Sequence, residues 1–286
     1  MFFVNLNLRK AYKDPSVLES FLARRVNPEL GLDPVLMDMA TLDWHRAMAA
    51  RIRGEGLTPA LHLPFFDLQP GSADSLVRGA CRERLCRAME VAEIYDPAHM
   101  IGHVKYDHLL YMHSYGQWRE RAVETWLAMM DAWPQHPPLY LENTFEPDPA
   151  TVAGVIEVLG QERPGRTGLC LDVGHWYSFS EGKRLDNLDV WLDAFAPLLS
   201  HLHLHDNDGS FDQHKGSRPG RDSLGGLFHG ACRAWAHPVG DLRAPQRRRL
   251  RCGHGVREGQ AGVVRAAQGG CTGGLRKRRL LAGNRK

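Results

Sequence analysis

Ser200–His214, SHLHLHDNDGSFDQH, holds four histidines and three aspartates. Two leucines separate the first three histidines. Read as a β-strand, the stretch therefore puts His201, His203 and His205 on one face and Leu202 and Leu204 on the other. Three imidazoles on one face are expensive to bury without partners. Either this is a solvated edge strand entering a polar loop, or its histidine face is turned inward toward a divalent metal. Neutral imidazole and carboxylate are ordinary donors to zinc and manganese. The segments that precede it decide between the two.

Strand-like and helix-like segments alternate seven times ahead of and through this stretch, the mark of a parallel α/β fold. Strands are expected over Phe2–Leu8, Leu30–Met37 (interrupted by Pro34), Pro59–Phe66, Met100–Val104, Pro138–Glu142, Gly168–His175 and Ser200–Asp206. Helices are expected over Pro15–Arg25, Leu42–Ile52, Asp74–Ile94, Trp118–Trp133, Pro149–Leu159 and Leu188–Leu199. In the long Asp74–Ile94 helix, Leu76, Ala80, Leu85, Met89 and Ala92 form the expected buried stripe.

Parallel strands are covered on both faces and should read as nearly continuous apolar runs. The exceptions are informative. His62, His103, Glu142, Asp172 and His203 fall near the C-terminal ends of five successive strands, which in an eight-stranded α/β barrel is the active-site face. Glu142 alternates with Leu141 and shares a face with Tyr140. It should point inward, where a carboxylate needs its charge neutralised. That suits a metal ligand or catalytic base better than a structural ion pair. Asp172 and His175, in LDVGHW, can aim at one centre from a strand end and the turn after it. His62 and His103 are weaker individually, since a lone strand-end histidine is often a hydrogen-bonded core residue. His203 matches the depth of the other strand ends better than His201 or His205. Asp212 and His214 form a D-x-H pair on the following loop, able to fold back over the site. His108 and His113 read as solvent-facing, while Tyr106 and Trp176 suit either substrate contact or packing.

Composition divides the chain. Residues 1–214 carry 19 Lys+Arg against 30 Asp+Glu, a net of −11, whereas residues 215–286 carry 17 against 3, a net of +14. The second part also holds 15 of the 29 glycines and loses the periodicity of the first. Its Arg247–Arg248–Arg249 and Arg276–Lys277–Arg278–Arg279 runs would ordinarily suggest a nucleic-acid-binding tail, but no aromatics are interleaved for stacking. Its Arg/Gly/Ala/Pro mixture is what GC-rich coding DNA yields when read out of frame. The expected division is a barrel domain over 1–216 and an Arg/Gly-rich tail over 217–286, frame-shifted or disordered. Six cysteines without a CxxC pair, and a start (MFFVNLNLRK) whose basic residues follow its apolar ones, read as a cytoplasmic protein with reduced thiols. No apolar run approaches the length of a membrane span.

These residues resemble the xylose isomerase-like TIM-barrel superfamily, which includes sugar isomerases and epimerases as well as zinc-dependent apurinic endonucleases. The matching pieces are His62-Leu-Pro, His103 ending strand four, Glu142-Asn, Asp172-Val-Gly-His175, His203-Leu-His-Asp206 and Asp212-Gln-His214. The resemblance implies a (β/α)8 TIM barrel. It implies Glu142, Asp172 and His203 as metal ligands, with His175 as a ligand or substrate contact. In the endonuclease branch His62, His103, Asp212 and His214 would also bind metal. The isomerase branch uses a second glutamate from strand eight. No segment here matches it, since Glu258 is the only glutamate of the tail and lies in a patternless GVREGQAG run. The barrel is therefore expected to be incomplete at strand and helix eight.

Two chemistries follow from the resemblance. In the first, a divalent zinc, manganese or magnesium polarises the oxygens of a small sugar or sugar phosphate. Glu142 removes the proton beside the carbonyl, and His175 orients a hydroxyl. In the second, the chain hydrolyses a phosphodiester at an abasic site in DNA. A surface carrying −11 over residues 1–214 disfavours nucleic acid, so a sugar is the expected partner and DNA only the alternative. A non-enzymatic truncated barrel is a third outcome, with two sheet edges exposed.

Overall fold

The computed structural model describes residues 1–214 and the three-residue strand Gly262–Val264. In chain order the elements are β1 (Phe2–Asn7), α1 (Leu8–Lys13), α2 (Ser16–Arg24), β2 (Pro28–Gly31), α3 (Pro34–Met39), α4 (Leu42–Gly54) and β3 (Ala60–His62). Then come α5 (Ser75–Tyr95), β4 (Met100–His103), α6 (His108–Tyr111), α7 (Tyr115–Ala132), β5 (Leu139–Glu142), α8 (Pro149–Glu162) and β6 (Thr167–Asp172). The series closes with α9 (Val173–Ser178), α10 (Gly182–Leu185), α11 (Leu188–Phe195), β7 (Leu199–Leu204) and β8 (Gly262–Val264).

β1 to β7 are parallel and pair in sequence order, giving the expected barrel. The eighth position differs from a regular βα unit. β8 runs antiparallel to both β7 and β1 and so covers both edges. The two open edges expected of a truncated barrel are therefore paired. The other readings of the tail, Glu258, the arginine runs and the domain boundary at 216 among them, lie outside the described residues.

Several boundaries depart from expectation for local reasons. The second strand is not Leu30–Met37. It ends at Gly31, and Asp33 accepts the Leu36 N–H to cap α3, with Pro34 in the first turn where a missing N–H costs nothing. The sixth strand stops at Asp172, because that side chain caps α9 by accepting the His175 N–H at 2.7 Å. His175 consequently sits on a helix, not on the strand. In α5 the buried stripe is Cys81, Leu85, Ala88, Met89, Val91, Ala92 and Tyr95, whereas Leu76 and Ala80 are exposed.

Helices pack around the sheet over a continuous apolar layer that includes Leu30, Leu61, Trp118, Trp126, Leu141, Leu171, Trp191 and Phe195. Burying such side chains contributes about 1.5–3 kcal/mol each. Inside the barrel a second layer forms from Ile101, Tyr140 and Cys170. One irregularity decides what else faces inward. Opposite β6 the register jumps from Leu199 to His201, leaving Ser200 as the extra residue of a bulge. Leu199 can therefore join the outer apolar layer while His201 points into the barrel among Phe3, His99 and Tyr140. His203 and His205 follow it inward at the period of two.

Candidate metal centre

The strand ends β3 to β7 bring the polar exceptions together. Glu142 lies at their centre, 1% exposed, and uses both oxygens. Its Oε2 is 3.2 Å from His62 Nε2 and 3.2 Å from His103 Nε2, and these two nitrogens are 3.2 Å apart. That is an equilateral triangle of donor atoms. Its edge is close to the ~3.4 Å implied by tetrahedral zinc bonds of about 2.1 Å. Glu142 Oε1 faces the other way, 3.0 Å from His203 Nδ1 and 3.2 Å from His175 Nδ1.

Asp172 forms the second focus. Its Oδ2 is 3.6 Å from His203 Nδ1, and both its oxygens lie 3.2 Å from His205 Nε2. The third focus is the loop after β7. Asp212 Oδ2 accepts from His214 Nε2 at 2.6 Å and lies 3.4 Å from His175 Nε2, and Asp212 Oδ1 is 3.5 Å from His205 Nε2. His205 and His214 stack with centroids 4.2 Å apart. The D-x-H loop thus folds over the barrel mouth as expected.

All eight residues singled out in the sequence (His62, His103, Glu142, Asp172, His175, His203, Asp212 and His214) meet in this one place. Of the others, His113 is exposed and His108 half-buried. Tyr106 packs on Trp118 and Tyr115, and Trp176 is buried with its indole N–H donated to Asn187, so both are packing aromatics.

The sequence reading missed three contributors. His205, ranked below His203, contacts both Asp172 and Asp212. Asn143 accepts the His175 Nδ1–H through its carbonyl at 2.9 Å and binds the Asp172 backbone. Glu29, in β2, is fully buried with its carboxylate 3.2 Å from His203 Nε2. A signal for it existed, a lone carboxylate in the apolar run PELGL, but the second strand was read as beginning one residue later.

Electrostatics set the protonation states. Burial alone would raise the Glu142 carboxyl. The charge on His203, with hydrogen bonds from His103 and His175, outweighs it and holds Glu142 well below the usual carboxylate range. Asp172 is likewise held low against burial by His175 and His205. Burial would depress His203, but Cys170, Glu142 and Glu29 together raise it well above an ordinary imidazole. Against the same desolvation, Asp172, Asp212 and Glu142 raise His175. His103 goes the other way, pushed down to about 4 by burial.

Among the described residues, the ion-pair partners of Glu29, Glu142, Asp172 and Asp212 are all histidines, with no Arg or Lys. Among the described residues, Asp212 Oδ1 and His205 Nδ1 are buried without a hydrogen-bond partner. Concentrated carboxylates compensated only by imidazoles, with unfilled donor atoms, fit a divalent cation. Among the described residues five groups have ligand atoms close enough to hold one: His62–His103–Glu142, Glu142–Asp172–His175 and His205–Asp212–His214, and two that include His201, Cys170–His201–His203 and Glu29–His99–His201.

Known proteins share this barrel fold. The family model described as a xylose isomerase-like TIM barrel matches residues 27–256. A Thermus thermophilus protein studied after soaking with ZnCl2 is 26% identical, with a TM-score of 0.58 over 81% of this chain and 86% of that one. A D-tagatose 3-epimerase-like protein is 17% identical, with a TM-score of 0.59 over 75% of this chain and 79% of its own. Endonuclease IV from Thermus thermophilus is 16% identical, with a TM-score of 0.50 over 76% and 80%. No curated protein matches. Among the described residues, no helix is long and apolar enough to cross a membrane.

Proposed function

The chain belongs to the xylose isomerase-like TIM barrel family, and from that premise we propose that it is a metal-dependent isomerase or epimerase of a small sugar or sugar phosphate. The observation that carries this reading is the Glu142 carboxylate, with His62 and His103 on one oxygen and His203 and His175 on the other. Glu142, Asp172 and His203 would hold the cation, with His62, His103, His175, Asp212 and His214 available around them. A bound divalent zinc, manganese or magnesium would supply polarisation of the substrate's carbonyl and hydroxyl oxygens.

A carboxylate has two oxygens, so Glu142 can serve as a ligand through one and take a proton through the other. The proton leaves the carbon beside the carbonyl for Glu142. The C–H pair becomes the C=C bond of an ene-diolate, and the carbonyl π pair moves onto oxygen. Return of the proton to the neighbouring carbon, with the hydroxyl proton passing from its oxygen to the former carbonyl oxygen, completes an isomerisation with one base. Epimerisation instead needs a second proton donor on the opposite face. His175, fixed through Nδ1 to the Asn143 carbonyl, presents Nε2 toward the mouth, where it can orient a hydroxyl.

Phosphodiester hydrolysis at an abasic site is the second reading. The separate His205–Asp212–His214 group favours it, because that chemistry uses neighbouring cations on the attacking and leaving oxygens. The net of −11 over residues 1–214 opposes it, since DNA affinity comes largely from neutralised phosphates. Metal analysis of the purified protein, followed by a panel of ketoses in deuterated water and an abasic-site duplex, separates the two. Deuterium entering a ketose beside its carbonyl supports the sugar reading. Strand cleavage with three bound cations and no exchange overturns it.

A further inference from the structure

The imidazoles of the centre are held from behind, and not all in the same way. His62 donates Nδ1–H to the Leu63 carbonyl at 3.0 Å and turns Nε2 toward Glu142. His175 donates Nδ1–H to the Asn143 carbonyl at 2.9 Å and turns Nε2 toward Asp212. His203 is mounted in reverse. Its Nδ1 faces the centre, 3.0 Å from Glu142 Oε1 and 3.6 Å from Asp172 Oδ2. Its Nε2 faces Glu29, 3.2 Å from Oε1 and 3.4 Å from Oε2.

Glu29 reaches this ring from β2, across the interior of the barrel, and is fully buried. Among the described residues its ion-pair partners are His201 and His203. The His203 ring stands between Glu29 and the Glu142–Asp172 pair. Glu29 therefore cannot share the cation that His203 Nδ1 would bind. What it can do is accept the Nε2–H, which leaves Nδ1 as the nitrogen with a lone pair to offer. A metal-binding histidine generally donates its other N–H to such an acceptor, which fixes the tautomer and raises the ligand's basicity. A carboxylate does this more strongly than the backbone carbonyls behind His62 and His175, because the hydrogen bond is charge-assisted.

We infer that Glu29 is the positioning residue for His203: its buried carboxylate fixes the Nε2–H tautomer and aims Nδ1 at the cation held by Glu142 and Asp172. This rests on the metal-dependent reading above. The test is zinc titration by calorimetry of the full chain and its Glu29→Gln variant. It is combined with melting of both proteins without metal and long-range 1H–15N NMR of the His203 ring in the zinc-loaded wild type.

Glu29→Gln keeps the shape and a weaker acceptor but removes the charge. Its zinc Kd should rise about 10–100-fold, the usual cost of losing such a partner, in a variant that metal-free melting shows still to unfold cooperatively. The ring should be protonated at Nε2. A variant that binds zinc as tightly as wild type, or a ring protonated at Nδ1, overturns this inference alone. A wild type that binds no zinc overturns it together with the proposed function. Should Glu29→Gln fail to fold, the tautomer in the wild type still decides.

Discussion

Asn143 and Asp172 exchange two hydrogen bonds across the ends of β5 and β6: Asn143 Nδ2 donates to the Asp172 carbonyl at 3.1 Å, and the Asp172 N–H donates to Asn143 Oδ1 at 2.8 Å. Asn143 acts like one more rung of the ladder, made by a side chain where the strands diverge. Its own carbonyl then fixes His175. Asn143→Ala removes both rungs and leaves a buried N–H and C=O unpaired. It should cost about 2–3 kcal/mol in urea unfolding, two bonds at about 1 kcal/mol plus desolvation. Metal affinity should fall as well, because Asp172 loses its anchor. A loss below about 0.5 kcal/mol would show that water replaces the rungs.

Gly174 lies against His205 so closely that a Cβ there would sit 2.0 Å from His205 Cε1 and 2.5 Å from Nε2. This gives the glycine of the Asp172-Val-Gly-His175 motif a steric reason. In Gly174→Ala the His205 ring must leave its position 3.2 Å from Asp172. The expected result is a folded protein by circular dichroism that has lost a cation from the His205–Asp212–His214 group, measured as metal per chain. An unchanged metal content would mean that His205 takes no part in binding.

The fold was legible because parallel strands are apolar on both faces, so each polar residue in them stands out. His62, His103, Glu142, Asp172 and His203 were found in this way, and all five converge. The bulge at Ser200 was not legible, although it sets the inward phase of His201, His203 and His205; only pairing with β6 reveals it. The strand boundary at Gly31 is hidden because Pro34 reads equally as an interruption of a strand and as a helix start, and Glu29 falls outside the expected strand with it. Long-range pairings such as Glu29 with His203 join β2 to β7 across the barrel, and no local pattern encodes them. His205 was passed over because a period of two gives its face but not its depth.

Glu142 has histidines on both oxygens, so its replacement should be felt by every metal-binding group that includes it. Glu142→Gln should abolish proton exchange at the substrate carbon and weaken cation binding. It should also remove most of the melting response to metal. In the wild type, a cation present at 1,000 times its Kd stabilises the folded state by about 4 kcal/mol, which corresponds to roughly 10 °C for a domain of this size. Chelation should lower Tm by that amount and zinc should restore it, with neither effect in the variant. Equal responses in the two proteins would remove Glu142 from the centre.

Away from the centre, His45 joins α4 to α5 through a 2.9 Å hydrogen bond between its Nδ1 and the Tyr95 hydroxyl, inside a cage completed by Trp44. Burial lowers its pKa from 6.5 to about 4. The sign of the pH effect follows directly. The unfolded chain takes up a proton near pH 6.5, whereas the folded chain holds His45 neutral until about pH 4. Between those limits the unfolded state binds more protons, so stability falls as the pH falls, by at most about 1.4 kcal/mol per pH unit from this group. Above pH 6.5 His45 makes stability neither rise nor fall. His45→Gln keeps a polar partner for Tyr95 but cannot titrate. The difference in urea-unfolding free energy between wild type and variant isolates His45 from the other histidines, which both proteins share. That difference should be constant above pH 6.5 and should move steadily against the wild type on acidification toward pH 4. Parallel curves over the whole range would mean that His45 is protonated as easily in the folded protein as in the unfolded chain, and that water reaches the space between α4 and α5.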